Sequence, residues 1–130
     1  MTEPKRVSPV EAKQLMDEEG YTYLDVRTEP EFVAGRPAGA KLVPIMLAGP
    51  TGMTPNPGFL EGVEALFAKD TKLVVGCKAG GRSAKAAAAL TAAGYTNVID
   101  QRAGFDGARN SFGQVTEKGW ADSGLPVEKG

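Results

Sequence analysis

The chain has 130 residues, with 15 Lys and Arg against 16 Asp and Glu for a formal net charge of −1, which predicts one domain, residues 1–130, able to bury roughly two-thirds of its unfolded surface. There is no His and one Cys, Cys77, so imidazole-based catalysis, His-ligated metals, an internal disulfide, a Cys-x-x-Cys redox pair and Cys-rich zinc or iron–sulfur centres are excluded within the chain. No stretch approaches the ~18 apolar residues of a membrane span and no block of Lys and Arg offers a footprint for nucleic acid, so neither partner is expected; the polar residues 1–6, with no apolar segment behind them, point to the cytoplasm.

Helical periodicity alternates with short apolar runs, the pattern of a parallel α/β sheet covered by helices. Ser8, Pro9 and Glu11 form a helix start with cap, first-turn Pro and capping-box Glu, and Gly20 is its stop. Residues 21–26 read as a buried strand whose end carries Asp25 and Arg27. A short helix is expected over 29–34, a turn over 35–39 and a strand over 40–43. Gly49, Pro50, Gly52 and Pro55 punctuate 47–58, which is expected to be a long loop, with Asn56 and Pro57 opening the next helix. Leu60, Val63, Leu66 and Phe67 place an amphipathic helix over 59–69. Leu73-Val74-Val75-Gly76 is a continuous apolar strand, residues 83–93 an Ala-rich helix stopped by Gly94, and 97–100 the last strand. The Gly-rich, polar tail 104–130 is expected to wrap the domain, with Trp120 covering an apolar edge.

Between the apolar strand and the Ala-rich helix lies Cys77-Lys78-Ala79-Gly80-Gly81-Arg82-Ser83. Open α/β sheets put their sites at such strand-to-helix junctions. The amides of a Gly-rich turn can converge on an anion, and the helix behind adds the positive end of its dipole. Gly80 and Gly81 permit backbone angles and approaches that a Cβ obstructs. The same field favours a thiolate: lowering a thiol from ~8.5 to ~7 takes about 2 kcal/mol, within the reach of a helix N-terminus plus hydrogen bonds to sulfur. Lys78 and Arg82 would add positive potential for the thiolate or an anionic substrate. A lone Cys is more often a small packed hydrophobe; here the strand, the two Gly, the Arg and the helix start together point to a nucleophile. Ser83 is expected to cap or brace the loop, and Asp25 and Arg27 to support it from behind as an ion pair or through loop-bracing hydrogen bonds. For Met46 and Met53, beside and within the 47–58 stretch, plain packing or surface exposure is expected in preference to a thioether rim for a sulfur donor.

These residues resemble a known family. The Cys77 to Ser83 segment is similar to the active-site loop of single-domain rhodaneses, the thiosulfate and persulfide sulfurtransferases, with its pattern Cys-basic-x-Gly-x-Arg-Ser/Thr. Leu24-Asp25-Val26-Arg27 with Glu31-Phe32, Gly35-Arg36-Pro37-Ala38-Gly39-Ala40 and Gly124-Leu125-Pro126-Val127 resemble further family segments, so the likeness extends over nearly the whole chain. Arg36 stands where the family usually has His, Ala103-Gly104-Phe105 replaces a Gly-Gly-aromatic turn, and the stretch 104–120 is longer than usual, which predicts an added loop or short helix within a C-terminal elaboration over 104–130. The resemblance implies a rhodanese-like fold, a five-stranded parallel sheet with helices on both faces, and no cofactor or metal.

It also implies the chemistry. Cys77 would take the outer sulfur of thiosulfate, or of another persulfide donor, with sulfite leaving from thiosulfate. The loop amides, Arg82 and Lys78 would hold the donor's oxygens, and cyanide, a thiol or a protein acceptor would remove the sulfur. Sulfite leaves without a general acid, which suits a chain lacking His. Two alternatives stand beside this. A Cys-based phosphatase or arsenate reductase uses a related loop, but four residues rather than five separate Cys77 from Arg82, and ester cleavage wants an acid for which Asp25 and Asp106 are the attractive choices. A non-catalytic sulfur carrier or regulatory module could retain the same fold.

Overall fold

The computed structural model describes residues 4–50 and 52–130. Residues 1–3, the start of the segment behind the compartment expectation, and Thr51, within the expected loop 47–58, lie outside the described residues.

Strands β1 (Lys5–Val7), β2 (Thr22–Asp25), β4 (Lys41–Leu42), β7 (Leu73–Gly76) and β8 (Val98–Gln101) form a five-stranded sheet in the order β1-β8-β7-β2-β4, and every neighbouring pair is parallel. Helices α1 (Pro9–Glu19), α2 (Glu29–Ala34), α3 (Phe59–Leu66) and α4 (Gly81–Ala92) supply the crossovers. α1 begins and ends as its sequence predicts: Ser8 and Glu11 close a reciprocal capping box, and Gly20 takes the left-handed conformation at φ 75°.

Two apolar layers flank the sheet, because alternate side chains of a strand point to opposite faces. Leu24, Leu73 and Val75 face one way and meet Val63 of α3 and Ala86, Ala87 and Leu90 of α4. Tyr23, Val74 and Ile99 face the other way and meet Ala12 of α1 and Trp120. Trp120 is thus interior rather than the cover of an edge: it is fully buried, its ring stands edge-on to Tyr23 at 5.4 Å, and its Nε1–H donates to the Pro126 carbonyl at 2.7 Å. Burial of that size is what draws the tail across the α1 face.

Three elements depart from the sequence expectation. The first is β1, an added edge strand, in which Val7 is buried and Lys5 and Arg6 face solvent. The second is 47–58, where β5 (Met46–Gly49) and β6 (Gly52–Pro55) pair antiparallel, so the Gly and Pro residues mark the turn and end of a hairpin rather than a long loop. The third is the 104–120 stretch, whose added piece is another hairpin, β9 (Ala108–Arg109) with β10 (Val115–Glu117), not a loop or helix. The remaining short strands, β3 (Arg36–Pro37) and β11 (Val127–Glu128), pair antiparallel and tie the tail to the turn after α2.

Candidate active site

β7 and β2 run side by side, with Asp25 in register with Gly76, so Cys77 and the Asp25–Arg27 pair emerge together at the carboxyl edge of the sheet, where parallel α/β sheets place their sites. Gly76 is itself required there, since a Cβ would lie 1.7 Å from the Tyr23 hydroxyl oxygen.

The loop after Cys77 is wound tightly around the sulfur. Gly80 has φ 101°, which turns its N–H toward Cys77 Sγ at 3.0 Å. The sulfur lies 3.6 Å from Ser83 Oγ, and that hydroxyl donates to the Gly80 carbonyl at 3.2 Å, so Ser83 braces the loop as expected from its place. Cys77 and Ser83 are both buried. Gly81 opens α4, whose first-turn amides have no intrahelical acceptor and carry the positive end of the helix dipole. The two glycines differ. A Cβ on Gly80 would sit 2.2 Å from the Arg102 carbonyl oxygen, whereas a Cβ on Gly81 meets nothing within 4 Å; only Gly80 is demanded by the backbone.

Behind the loop, Arg27 and Asp25 form the expected ion pair, fully buried. Arg27 Nε donates to both carboxylate oxygens at 3.0 Å, Nη2 to Asp25 Oδ2 at 2.7 Å and to the Gly35 carbonyl at 2.6 Å, and the guanidinium lies 4.6 Å from the Phe105 ring centroid. A planar fork of this kind locks the end of β2 to the turn after α2.

The loop's own cations are placed otherwise than the sequence suggests. Arg82 forks onto Glu31, with Nη1 to Oε1 at 2.8 Å and Nη2 to Oε2 at 3.0 Å, and these bonds raise the Arg82 pKa. Burial pushes the Glu31 carboxyl up, but the Arg82 bonds and those from Thr28 outweigh it and hold the group at about 2. Lys78 Nζ stands 4.0 Å from Asp106 Oδ2. Each cation is therefore met by a carboxylate, while the sulfur itself accepts from the Gly80 amide. A cleft of about 200 Å³ beside the loop is lined by Arg27, Glu31, Lys78, Phe105 and Asp106. A second, of about 340 Å³, lies on the hairpin side and includes Met46, Met53, Gly81, Arg82 and Lys85. Met53 is exposed, in line with the expectation of surface exposure, and its Sδ lies 3.8 Å from Arg82 Nη1.

Several residues that hold this site go beyond the sequence reading. Gln101, fully buried, accepts from the Ala103 and Gly104 amides at 2.8 and 2.9 Å and donates to the Gly104 carbonyl at 2.9 Å. It shapes the turn whose Phe105 and Asp106 amides donate to the carbonyls of Cys77 and Lys78 at 2.7 and 2.9 Å. Gly104, at φ 69°, lets that turn approach, because a Cβ there would lie 2.4 Å from the Lys78 carbonyl oxygen. Nothing in the sequence links Gln101 to the loop. Glu31 does carry a local signal, its capping-box spacing from Thr28, but not one that points to Arg82.

Comparison with known proteins bears on this geometry. The model of the rhodanese-like domain family matches residues 8–111. Thiosulfate sulfurtransferase 16, chloroplastic, of Arabidopsis thaliana is 41% identical over 125 residues, covering 96% of this chain and 93% of that protein. The senescence-associated protein DIN1 of Raphanus sativus is 36% identical over 121 residues, 93% of this chain and 60% of that longer protein. Among solved structures, Rv0390 from M. tuberculosis superposes with a TM-score of 0.80 at 27% identity, covering 99% of this chain and 100% of that one.

Proposed function

The chain belongs to the rhodanese-like domain family, and from that premise we propose that it is a sulfurtransferase that carries sulfur from thiosulfate, or another persulfide donor, on Cys77 to cyanide or a thiol. The reading is supported above all by one contact, the Gly80 amide donating to the Cys77 sulfur at 3.0 Å at the head of α4. A sulfur held by a backbone donor is oriented for attack and, once extended by a second sulfur, remains in a setting of amides suited to negative charge. The name of the Arabidopsis relative, a thiosulfate sulfurtransferase, supports the donor class.

The exchange proceeds in two displacements. The Cys77 thiolate attacks the outer sulfur of thiosulfate, a new S–S bond forms, the old one breaks, and its electron pair leaves with sulfite. The terminal sulfur of the Cys77 persulfide is then attacked by cyanide carbon or by a thiolate. The S–S bond breaks toward Cys77, thiocyanate or a new persulfide departs, and the thiolate is regenerated. Neither step needs a general acid, which suits a chain without His.

Intact mass measurement after exposure to thiosulfate tests the reading. Wild type gains one sulfur atom, and cyanide removes it with release of thiocyanate; Cys77→Ser gains none and turns over at the background rate while keeping its melting temperature. A Cys77→Ser protein with normal turnover refutes the assignment. Hydrolysis of an aryl phosphate by the wild type would instead point to phosphatase chemistry, and a protein that shows none of these events is a binding module.

A further inference from the structure

We propose that Glu31 sets donor preference at the Cys77 site by competing with a donor's anionic oxygens for Arg82, an inference that rests on the sulfurtransferase reading above. Arg82 is the loop's one guanidinium, and its Nη1 and Nη2 both already point at Glu31, at 2.8 and 3.0 Å. Glu31 is not free to swing aside. Its Oε1 also accepts from the Thr28 amide at 3.0 Å and from the Thr28 hydroxyl at 2.9 Å, so Glu31 cannot follow Arg82 without disturbing the start of α2, and Arg82 must leave it behind.

Two clefts flank this ion pair. Glu31 lines the one that also holds Lys78 and Asp106, and Arg82 lines the one on the hairpin side; the ion pair stands between them. Of the cations in the first cleft, Arg27 is spent on buried Asp25 and Lys78 stands against Asp106. A compact dianion such as thiosulfate therefore meets two carboxylates there and must pull Arg82 from one of them. A donor with no oxyanion beside its transferable sulfur, such as glutathione persulfide, whose carboxylates lie far from a terminal sulfur of at most single charge, escapes most of that penalty. Glu31 thus disfavours small oxyanionic donors relative to organic persulfides.

Glu31→Gln tests this, because it keeps the side chain's shape and an oxygen for the Thr28 bonds while removing the competing charge. After screening, restoring one cation near a dianion is expected to lower the thiosulfate KM about tenfold, or ~1.4 kcal/mol. The value of kcat should stay within about twofold, since the gain is in uniform binding, and the KM for glutathione persulfide should not move. Sulfate, which cannot donate sulfur, should become a tighter competitive inhibitor by a similar factor, with the difference shrinking as KCl is added. Glu31→Asp, which keeps the charge but shortens its reach, should shift both constants in the same direction by less, and serves alone if the Gln variant fails to fold. An unchanged or raised thiosulfate KM, or equal shifts for both donors as a merely structural role would give, overturns the proposal. If the wild type forms no Cys77 persulfide from either donor, it is the sulfurtransferase reading that falls; sulfate affinity, measured by calorimetry on wild type and Glu31→Gln, then still decides whether Glu31 competes for Arg82, and equal affinities overturn it.

Discussion

Two adjacent glycines of the Cys77 loop should respond in opposite directions to the same substitution. Gly80→Ala places a Cβ on a residue at φ 101°, 2.2 Å from the Arg102 carbonyl oxygen. An L side chain in a left-handed conformation costs ~1–2 kcal/mol, and a contact of that kind with backbone forces the loop or the turn after β8 to move, adding at least a further ~1–3 kcal/mol in strain or lost packing. The sum, about 2–5 kcal/mol, is a large share of the ~5–15 kcal/mol that holds a domain of this kind together. The displaced element also carries the amide that reaches the Cys77 sulfur, so transfer should be lost even where the protein still folds. Gly81→Ala meets nothing within 4 Å and sits in the first turn of α4; replacing Gly by Ala in a helix gains up to ~0.5–1 kcal/mol. Urea denaturation with fitted m-values separates the cases: a fall in midpoint for Gly80→Ala, an equal or higher midpoint for Gly81→Ala, and persulfide formation retained in the second alone. Equal destabilisation by the two substitutions would refute the geometric reasoning.

Asp25→Asn should cost ~3–5 kcal/mol, because it leaves the Arg27 guanidinium buried without its counter-charge; a melting temperature within a few degrees of wild type would contradict this. Gln101→Leu strands the Ala103 and Gly104 amides at ~1–3 kcal/mol each, and should speed hydrogen exchange at the Phe105 and Asp106 amides that hold the Cys loop more than at Thr22 in the sheet. The Glu31 carboxyl is depressed from 4.5 to about 2 in the folded protein, so its contribution to stability is fully present above about pH 4.5 and is lost as pH falls toward 2. The stability difference between wild type and Glu31→Gln, followed by urea midpoints, should therefore be flat at neutral pH and narrow across that acid window; a difference that grows as pH falls has the wrong sign.

Which parts of this molecule were legible from its residues follows from the range of the contacts that make them. The α1 cap needs only residues 8, 9, 11 and 20, and every one of those interactions is local. The Cys77 loop is legible for a similar reason: a buried strand, a left-handed glycine and a helix start lie within ten residues of chain. β1 is different. Its only buried residue is Val7, and its pairing with β8 joins residues 94 apart, as in Lys5 with Ile99, so neither period nor composition reveals it. The β5–β6 hairpin also gives no alternation to read, because the described residues of β6 are all exposed, and its glycines and prolines are equally compatible with a loop.

The same distinction separates the parts of the site. Cys77 and its backbone cradle are encoded in contiguous residues, so the proposed chemistry can be inferred from type and spacing. The electrostatics cannot, since Arg82 reads as a free cation until Glu31, 51 residues earlier, is brought against it. Counting charges along the loop gives two cations and no anion, whereas the folded site pairs each with a carboxylate. A Cys loop of this sequence in another member of the fold, with a neutral residue at the position of Glu31, would therefore present a stronger field to a small anion than this one does. On the proposed role of Glu31, donor selectivity would change through α2 while the loop itself stays the same.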